Sequence, residues 1–177
     1  MQSNFDASFD LLIASEGGYV NNPKDPGGET NLGVTKAAWA AYLRRPVAAG
    51  EMKKLTKDMV KPFYKTEYWN KVQGDKLPIG IDYLAFDFAV NAGTGQSAKF
   101  LQRACGATED GQIGTNTLGK LATMRPRELI DNFSEIKRRF YKDIVVRKPE
   151  QILFLVGWLR RVDEVQLKAR GMLPFGA

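Results

Sequence analysis

Apolar residues recur at three- and four-residue intervals along almost the whole of this 177-residue chain, and the one long interruption runs from Tyr19 to Thr35. That period is the mark of helices with one buried face. Phe5, Phe9, Leu12 and Ile13 form the first such face, and Gly17-Gly18 stops the helix, as glycine does just past a last turn. Glu16 is thereby placed at a helix tip. In the interruption, Asn22-Pro23, Asp25-Pro26 and Gly27-Gly28 are turn signals. Tyr19-Val20 and Leu32 to Thr35 are expected as short strands of a hairpin.

Thr35 is positioned to cap a helix through Trp39 and Tyr42, and Thr56 one that turns Met59, Val60, Phe63 and Tyr64 inward. Ile81, Leu84, Ala85, Phe88 and Ala92 predict a one-sided helix ending at Gly93-Thr94-Gly95. The next carries Ala98, Phe100, Leu101 and Ala104. Asp110 to Gly114 is a tight turn, after which Thr115 is expected to cap a short helix to Leu121. Pro126 opens a long helix through Leu129, Phe133, Phe140 and Ile144. Pro149 opens the last, with Ile152, Leu153, Val156, Leu159, Val162 and Val165 inward. No repeat, low-complexity tract or linker interrupts the series.

Composition removes whole classes of chemistry. The chain has no histidine and one cysteine, Cys105. Ser-His-Asp and Cys-His nucleophiles and His/Cys zinc sites are therefore excluded, leaving carboxylates, hydroxyls, lysines and backbone groups. Cys105, on an apolar helix face, reads as a small buried hydrophobe. The net charge of +6 suits an acidic partner: nucleic acid, a membrane surface or an anionic wall polymer. There is no helix-turn-helix pattern and no aromatic platform interleaved with basic residues, so nucleic acid is not expected. The start lacks a basic and apolar leader, which predicts a chain made in the cytoplasm. The apolar run Ile152 to Leu159 is far short of the roughly 20 residues of a membrane span.

Glu16 is the leading candidate for chemistry. The negative pole of a helix end and partial burial both disfavour a charged carboxylate, which suits a general acid working near neutral pH. The plainer reading is a solvated helix-end glutamate. Asp25 follows nine residues later, with Glu29 and Thr30 close behind. An acid facing a hairpin carboxylate across a cleft is a workable arrangement for glycosidic hydrolysis. Asp25 before Pro26 is equally a common turn residue.

Glu16-Gly17-Gly18-Tyr19, Asn22-Pro23 and Asp25 through Thr35, followed by Tyr68-Trp69, Phe86 to Gly93, Leu101 to Ala104, Asp110 to Gly114 and Gly157-Trp158-Leu159, resemble in order and spacing the glycoside hydrolase family 108 N-acetylmuramidases. This family includes phage endolysins and secretion-associated muramidases. The resemblance implies a mainly α, α+β lysozyme-like fold, two-lobed, with a small β-hairpin beside the catalytic cleft. It implies a catalytic part over 1–86 and a peptidoglycan-binding helical part over 87–177, the latter a lobe of the same domain. It implies a peptidoglycan hydrolase that cleaves the β-1,4 bond between N-acetylmuramic acid and N-acetylglucosamine, with Glu16 as the acid. Phage-type lysozymes place an aspartate where Asp25 stands and a threonine where this chain has Asn31, so Asp25, Glu29 and Thr30 all stay open as the second group.

Of the other candidates, Tyr19, Tyr68 and Trp69 either stack on sugar rings or belong to the core. Asp87 and Asn91, one helical turn apart, either bind sugar hydroxyls or N-acetyl groups or lock the helix end. Lys137-Arg138-Arg139 and Arg160-Arg161 read as solvated helix faces. Asp110-Gly111 lacks the further carboxylates of a calcium loop, and neither metal nor cofactor is expected. A monomer acting on glycan strands, without stable membrane insertion and after holin-type release, is the expectation. Rival readings are a chitinase- or chitosanase-like glycosidase and a non-catalytic wall-binding module.

Overall fold

The helical periodicity is realised, in a computed structural model that describes residues 4–21 and 28–174, as eight α-helices and one three-stranded antiparallel sheet among the described residues. The architecture is mainly α, as the sequence predicts. Internal contacts divide the chain into two units, Asp6–Glu67 and Met1–Phe5 with Tyr68–Ala177. The boundary expected at Asp87 falls inside a helix of the second unit.

The first unit carries all but the first residue of α1 (Phe5–Ile13), then β1 (Val20–Asn21), β2 (Glu29–Asn31), β3 (Val34–Thr35), α2 (Lys36–Leu43) and α3 (Lys57–Tyr64). Thr35 and Thr56 cap α2 and α3 as expected, their hydroxyls accepting from the amides of Ala38 at 3.2 Å and Met59 at 3.3 Å. Phe9, Trp39, Phe63 and Tyr64 are buried and meet ring to ring at 5.4–6.0 Å. Met59 departs from its expected inward position and is exposed, because Val60, Phe63 and Tyr64 already fill the buried face of α3. Past α3 the helix widens into a π-turn over Lys65–Trp69.

The second unit is built around α4 (Ile81–Ala92). The sequence predicts one buried face, yet every residue from Ile81 to Ala89 is buried. Tyr83 and Phe86 make the helix apolar on the side opposite Leu84 and Phe88, and such a helix is stable only when surrounded. Neighbours are α5 (Thr94–Ala104), α7 (Pro126–Arg147) and α8 (Ile152–Gly171), with α6 (Thr115–Ala122) between α5 and α7 in the chain. Phe88, Phe100, Phe133 and Phe140 gather from α4, α5 and α7 at ring distances of 4.7–6.4 Å. A second cluster joins Phe5, Trp69 and Phe86 at 5.4–5.9 Å. The Trp69 indole lies so close to Gly74 that a Cβ there would run into the ring.

Two polar readings change in this unit, the Thr115 cap and the cations of α7 and α8, while the turn between α5 and α6 is as expected. Gly114, with extended backbone, is the residue before α6, and Thr115 is its first helical residue without a side-chain cap. The Asp110–Gly114 turn is held by buried Gln102. Its amide nitrogen donates to Asp110 Oδ1 at 2.6 Å, to the Gln112 carbonyl at 3.0 Å and to Thr117 Oγ1 at 3.2 Å, while its oxygen accepts from the Gly111 amide at 2.9 Å. The motif is a structural latch. Lys137, expected in solvent, is 2% exposed and pairs with Asp87, as does Arg161. A buried carboxylate on α4 is what draws these cations in, since an unpaired charge there is far too costly.

Asp82 is also buried, accepting from Asn4 Nδ2 at 3.2 Å and from the Tyr83 amide at 2.7 Å. Burial outweighs these bonds and pushes its pKa from 3.8 up to about 6. A carboxyl raised in the folded state favours folding while protonated, so its contribution is lost as pH rises from about 4 through about 6. Two pKa units correspond to roughly 3 kcal/mol. Asp82→Asn is expected to be more stable than wild type at pH 8 by up to about that much and nearly equal to it at pH 4. Urea unfolding at both pH values checks this; a pH-independent difference would assign Asp82 no titrating role.

Candidate active site

Two turns and one aromatic side chain of the first unit set the position of Glu16. The α1 helix ends at Ile13, and the chain continues in a tight turn, with the amides of Ser15 and Glu16 donating to the carbonyls of Leu12 and Ile13. Glu16 therefore stands in the bend beyond the helix, half-buried. The β2–β3 connection is the two-residue turn Leu32-Gly33, with φ of +50° and +75°. Positive φ at both positions matches the right-handed twist of a hairpin and is costly for leucine. Buried Tyr64 of α3 holds it there, its hydroxyl donating to the Leu32 carbonyl at 2.8 Å.

These pieces converge on Gly33. A Cβ at this position would lie 2.7 Å from Glu16 Oε2 and 2.6 Å from Tyr64 Oη. The carboxylate thus rests against bare glycine backbone, beside a phenol that is itself anchored. Gly33→Ala is expected to cost about 1–2 kcal/mol for the left-handed conformation alone. With Glu16 as the acid, a displacement of even an ångström is expected to lower turnover by about 10²-fold. Steady-state hydrolysis together with thermal unfolding checks both effects.

Along the same strand, Glu29 accepts from the Tyr19 hydroxyl at 2.8 Å and from Lys36 Nζ at 2.6 Å. The Lys36 ammonium, then the Tyr19 hydroxyl, hold the Glu29 carboxyl below its ordinary range. Burial, then the bond to Glu29, raises the Tyr19 phenol, and Lys53 lies 5.2 Å over its ring. Glu29 is consequently kept as a carboxylate. Thr30 pairs across the sheet with Val20 and Thr35 and is half-buried. Asn31, at the position where phage-type lysozymes have threonine, is buried and donates to the Met52 carbonyl at 2.7 Å, which ties the sheet to the chain beyond α2. Asp25 lies outside the described residues.

The remaining candidates belong to the second unit. Trp69 is core: fully buried, its indole nitrogen donates to Asp75 Oδ1 at 2.8 Å, which leaves no ring face for a sugar. Asp87 is fully buried and committed to Arg161 Nη2 at 2.7 Å and Lys137 Nζ at 3.4 Å. Its side chain holds α4, α7 and α8 together instead of reaching a ligand. Asn91 is exposed and turns back to donate to the Asp87 carbonyl at 2.7 Å. Tyr68 is half-buried. Among the described residues, no group of three or more His, Cys, Asp or Glu side chains forms a potential metal site.

Tyr64, Gly33, Lys36 and Lys53 shape this site without having been singled out from the sequence. Leu32 and Gly33, expected in a strand, instead form the turn between β2 and β3, because positive φ at both positions breaks the extended run. The others are recognisable only once α2, α3 and the sheet are placed together.

Residues 9–93 match the family model for glycosyl hydrolase 108, and residues 96–163 match that of a predicted peptidoglycan domain. The solved structure of Brucella abortus SagA is 35% identical, covers 97% of each chain and superposes with a TM-score of 0.83. The chain belongs to the glycosyl hydrolase 108 family. It is accordingly a glycoside hydrolase, an N-acetylmuramidase by family, with a lysozyme-like fold and peptidoglycan as its substrate. None of the curated proteins matches it by sequence. The first match runs from α1 to the end of α4 and the second begins in α5, so the family boundary lies at Gly93 to Gly95, beyond the boundary between the two units.

Proposed function

We propose that this glycosyl hydrolase cleaves the β-1,4 bond between N-acetylmuramic acid and N-acetylglucosamine, with Glu16 as general acid, and that it serves as a phage endolysin. The observation that carries the reading is the seating of the Glu16 carboxylate against Gly33 and Tyr64 at the hairpin turn. A glutamate at such a site protonates the glycosidic oxygen as the bond to the anomeric carbon breaks. The oxocarbenium-like charge that develops needs a nearby carboxylate or an activated water. Glu29, held ionised by Lys36 and Tyr19, suits an anionic role and not an acidic one; Asp25 and Thr30 complete the set of candidates for the second group. The net charge of +6 favours approach to an anionic wall. In the lysis setting proposed, a monomeric enzyme accumulates in the cytoplasm and meets periplasmic peptidoglycan after a holin opens the inner membrane.

Digestion of purified Gram-negative sacculi, followed by mass spectrometry of the fragments, tests the bond. Fragments with muramic acid at the reducing end are expected. Reducing-end N-acetylglucosamine would assign the other glycosidic bond, and cleaved stem peptides on intact strands would overturn the glycosidase assignment. Faster cleavage of chitin oligomers than of peptidoglycan would favour the chitinase reading.

A further inference from the structure

Between Arg138 on α7 and Arg161 on α8, no residue is buried. This is the connecting end of a helical hairpin whose buried residues stop at Lys137 and resume at Val162, with half-buried Phe140 and Arg161 the last to reach the rings and carboxylate of α4 and α5. The sequence predicts Ile152, Leu153 and Val156 in the core. Instead Val146, Ile152, Leu153, Phe154 and Val156 stand 53–84% exposed. Single exposed apolar residues are ordinary, but a contiguous cluster at one tip marks an interaction surface.

The chemistry of the tip selects its partner. Exposed Lys142, Arg147, Lys148 and Arg160 flank the apolar residues along the chain, against Asp143, Glu150 and the Glu164 that pairs with Arg160. Arg147 and Lys148 sit at the C-terminal end of α7, where the helix dipole favours cations. Sugar recognition needs a free ring face with hydrogen-bonding groups beside it. Here Trp158 stacks on Tyr141 at 5.2 Å and on Phe154 at 6.0 Å, so the rings cover one another. Apart from Tyr141, Gln151 is the one uncharged polar side chain from Phe140 to Arg160. A second copy would bring two basic collars together.

An aliphatic and aromatic tip inside a cationic collar matches an anionic bilayer surface, where apolar groups enter the headgroup region and Lys and Arg meet the phosphates. No described helix is long and apolar enough to span the membrane. We infer that the α7–α8 tip is a peripheral anchor for anionic phospholipid membranes. The inference does not rest on the muramidase reading, since the ligand contains no peptidoglycan.

Co-sedimentation of the full chain with vesicles of phosphatidylglycerol and phosphatidylethanolamine, against phosphatidylcholine alone, tests it. Binding to the anionic vesicles is expected, with Trp158 emission shifting to the blue. Trp39 and Trp69 are buried and stay silent. Leu153→Asp/Val156→Asp is expected to abolish binding, and Arg147→Gln or Lys148→Gln to weaken it roughly fivefold each. Leu167→Asp, also exposed but distant along α8, is expected to bind as wild type. Unchanged circular dichroism and melting of these surface variants separate lost binding from misfolding. Absence of binding to anionic vesicles, equal binding to phosphatidylcholine, or binding that survives the double variant would overturn the inference. So would a dimer, or retention on sacculi, that the double variant breaks while wild type ignores vesicles.

Discussion

Glu16→Gln is expected to lower the rate of peptidoglycan hydrolysis by roughly 10²–10⁴-fold while leaving affinity for sacculi and folding stability near wild type. Glutamine is nearly isosteric with glutamate, so the contact with bare Gly33 backbone survives. What disappears is the proton for the leaving oxygen. A loss confined to turnover, with unchanged binding, identifies a group that acts in the transition state. Turbidity loss of sacculi and a binding assay on the same preparation measure the two separately. Equal activity in the variant would remove Glu16 from the chemistry and turn attention to Asp25 and Glu29.

The second large effect is on stability. Asp87→Asn is expected to destabilise the protein by about 3–5 kcal/mol, since it leaves Lys137 buried with its charge uncompensated. Asp87 is the carboxylate between Lys137 on α7 and Arg161 on α8, and the Lys137 ammonium lies 4.7 Å over the Phe88 ring. Burial depresses the Lys137 pKa, with Asp87 opposing. In the variant that opposition is gone. A base depressed in the folded state makes stability rise with pH, so Asp87→Asn is expected to recover stability under alkaline conditions. Asp87→Asn/Lys137→Met should lose less than the single variant, because an apolar side chain of similar length replaces the stranded cation. Urea unfolding of all three proteins checks this; a double variant less stable than Asp87→Asn would show that the lysine is held by something other than charge pairing.

Both effects depend on features of different visibility in the sequence. The helices were legible because each carries an apolar repeat with local stop and start signals, and the caps Thr35 and Thr56 act within three residues of themselves. Turn chemistry between Tyr19 and Thr35 announced a β-element, and the family resemblance came from an ordered set of motifs running from Glu16 to Leu159. Charge was misread wherever its partner came from far away in the chain. Lys137 and Arg161 look like solvent residues until Asp87, 50 and 74 positions distant, is placed between them. Trp69 stayed open between sugar stacking and the core until the Phe5 and Phe86 rings were placed around it.

The last helix shows the same division from the other side. Its apolar period continues through Ile152, Leu153 and Val156, and periodicity says only that these residues share surfaces, not that anything covers them. Burial is a property of the neighbours, and α4 and α5 still reach Phe140 and Arg161, whereas no residue between those two is buried. Local signals, which need only the few residues around them, were therefore settled within the sequence: the helices, the caps Thr35 and Thr56, a β-element between Tyr19 and Thr35, and a glutamate just beyond α1. Long-range pairings were decided by the packed chain, because a buried charge finds its counter-charge, and an apolar face its cover, only when distant segments meet: Tyr64 beneath the Leu32 carbonyl, Asp87 between two cations, and a hairpin tip left bare.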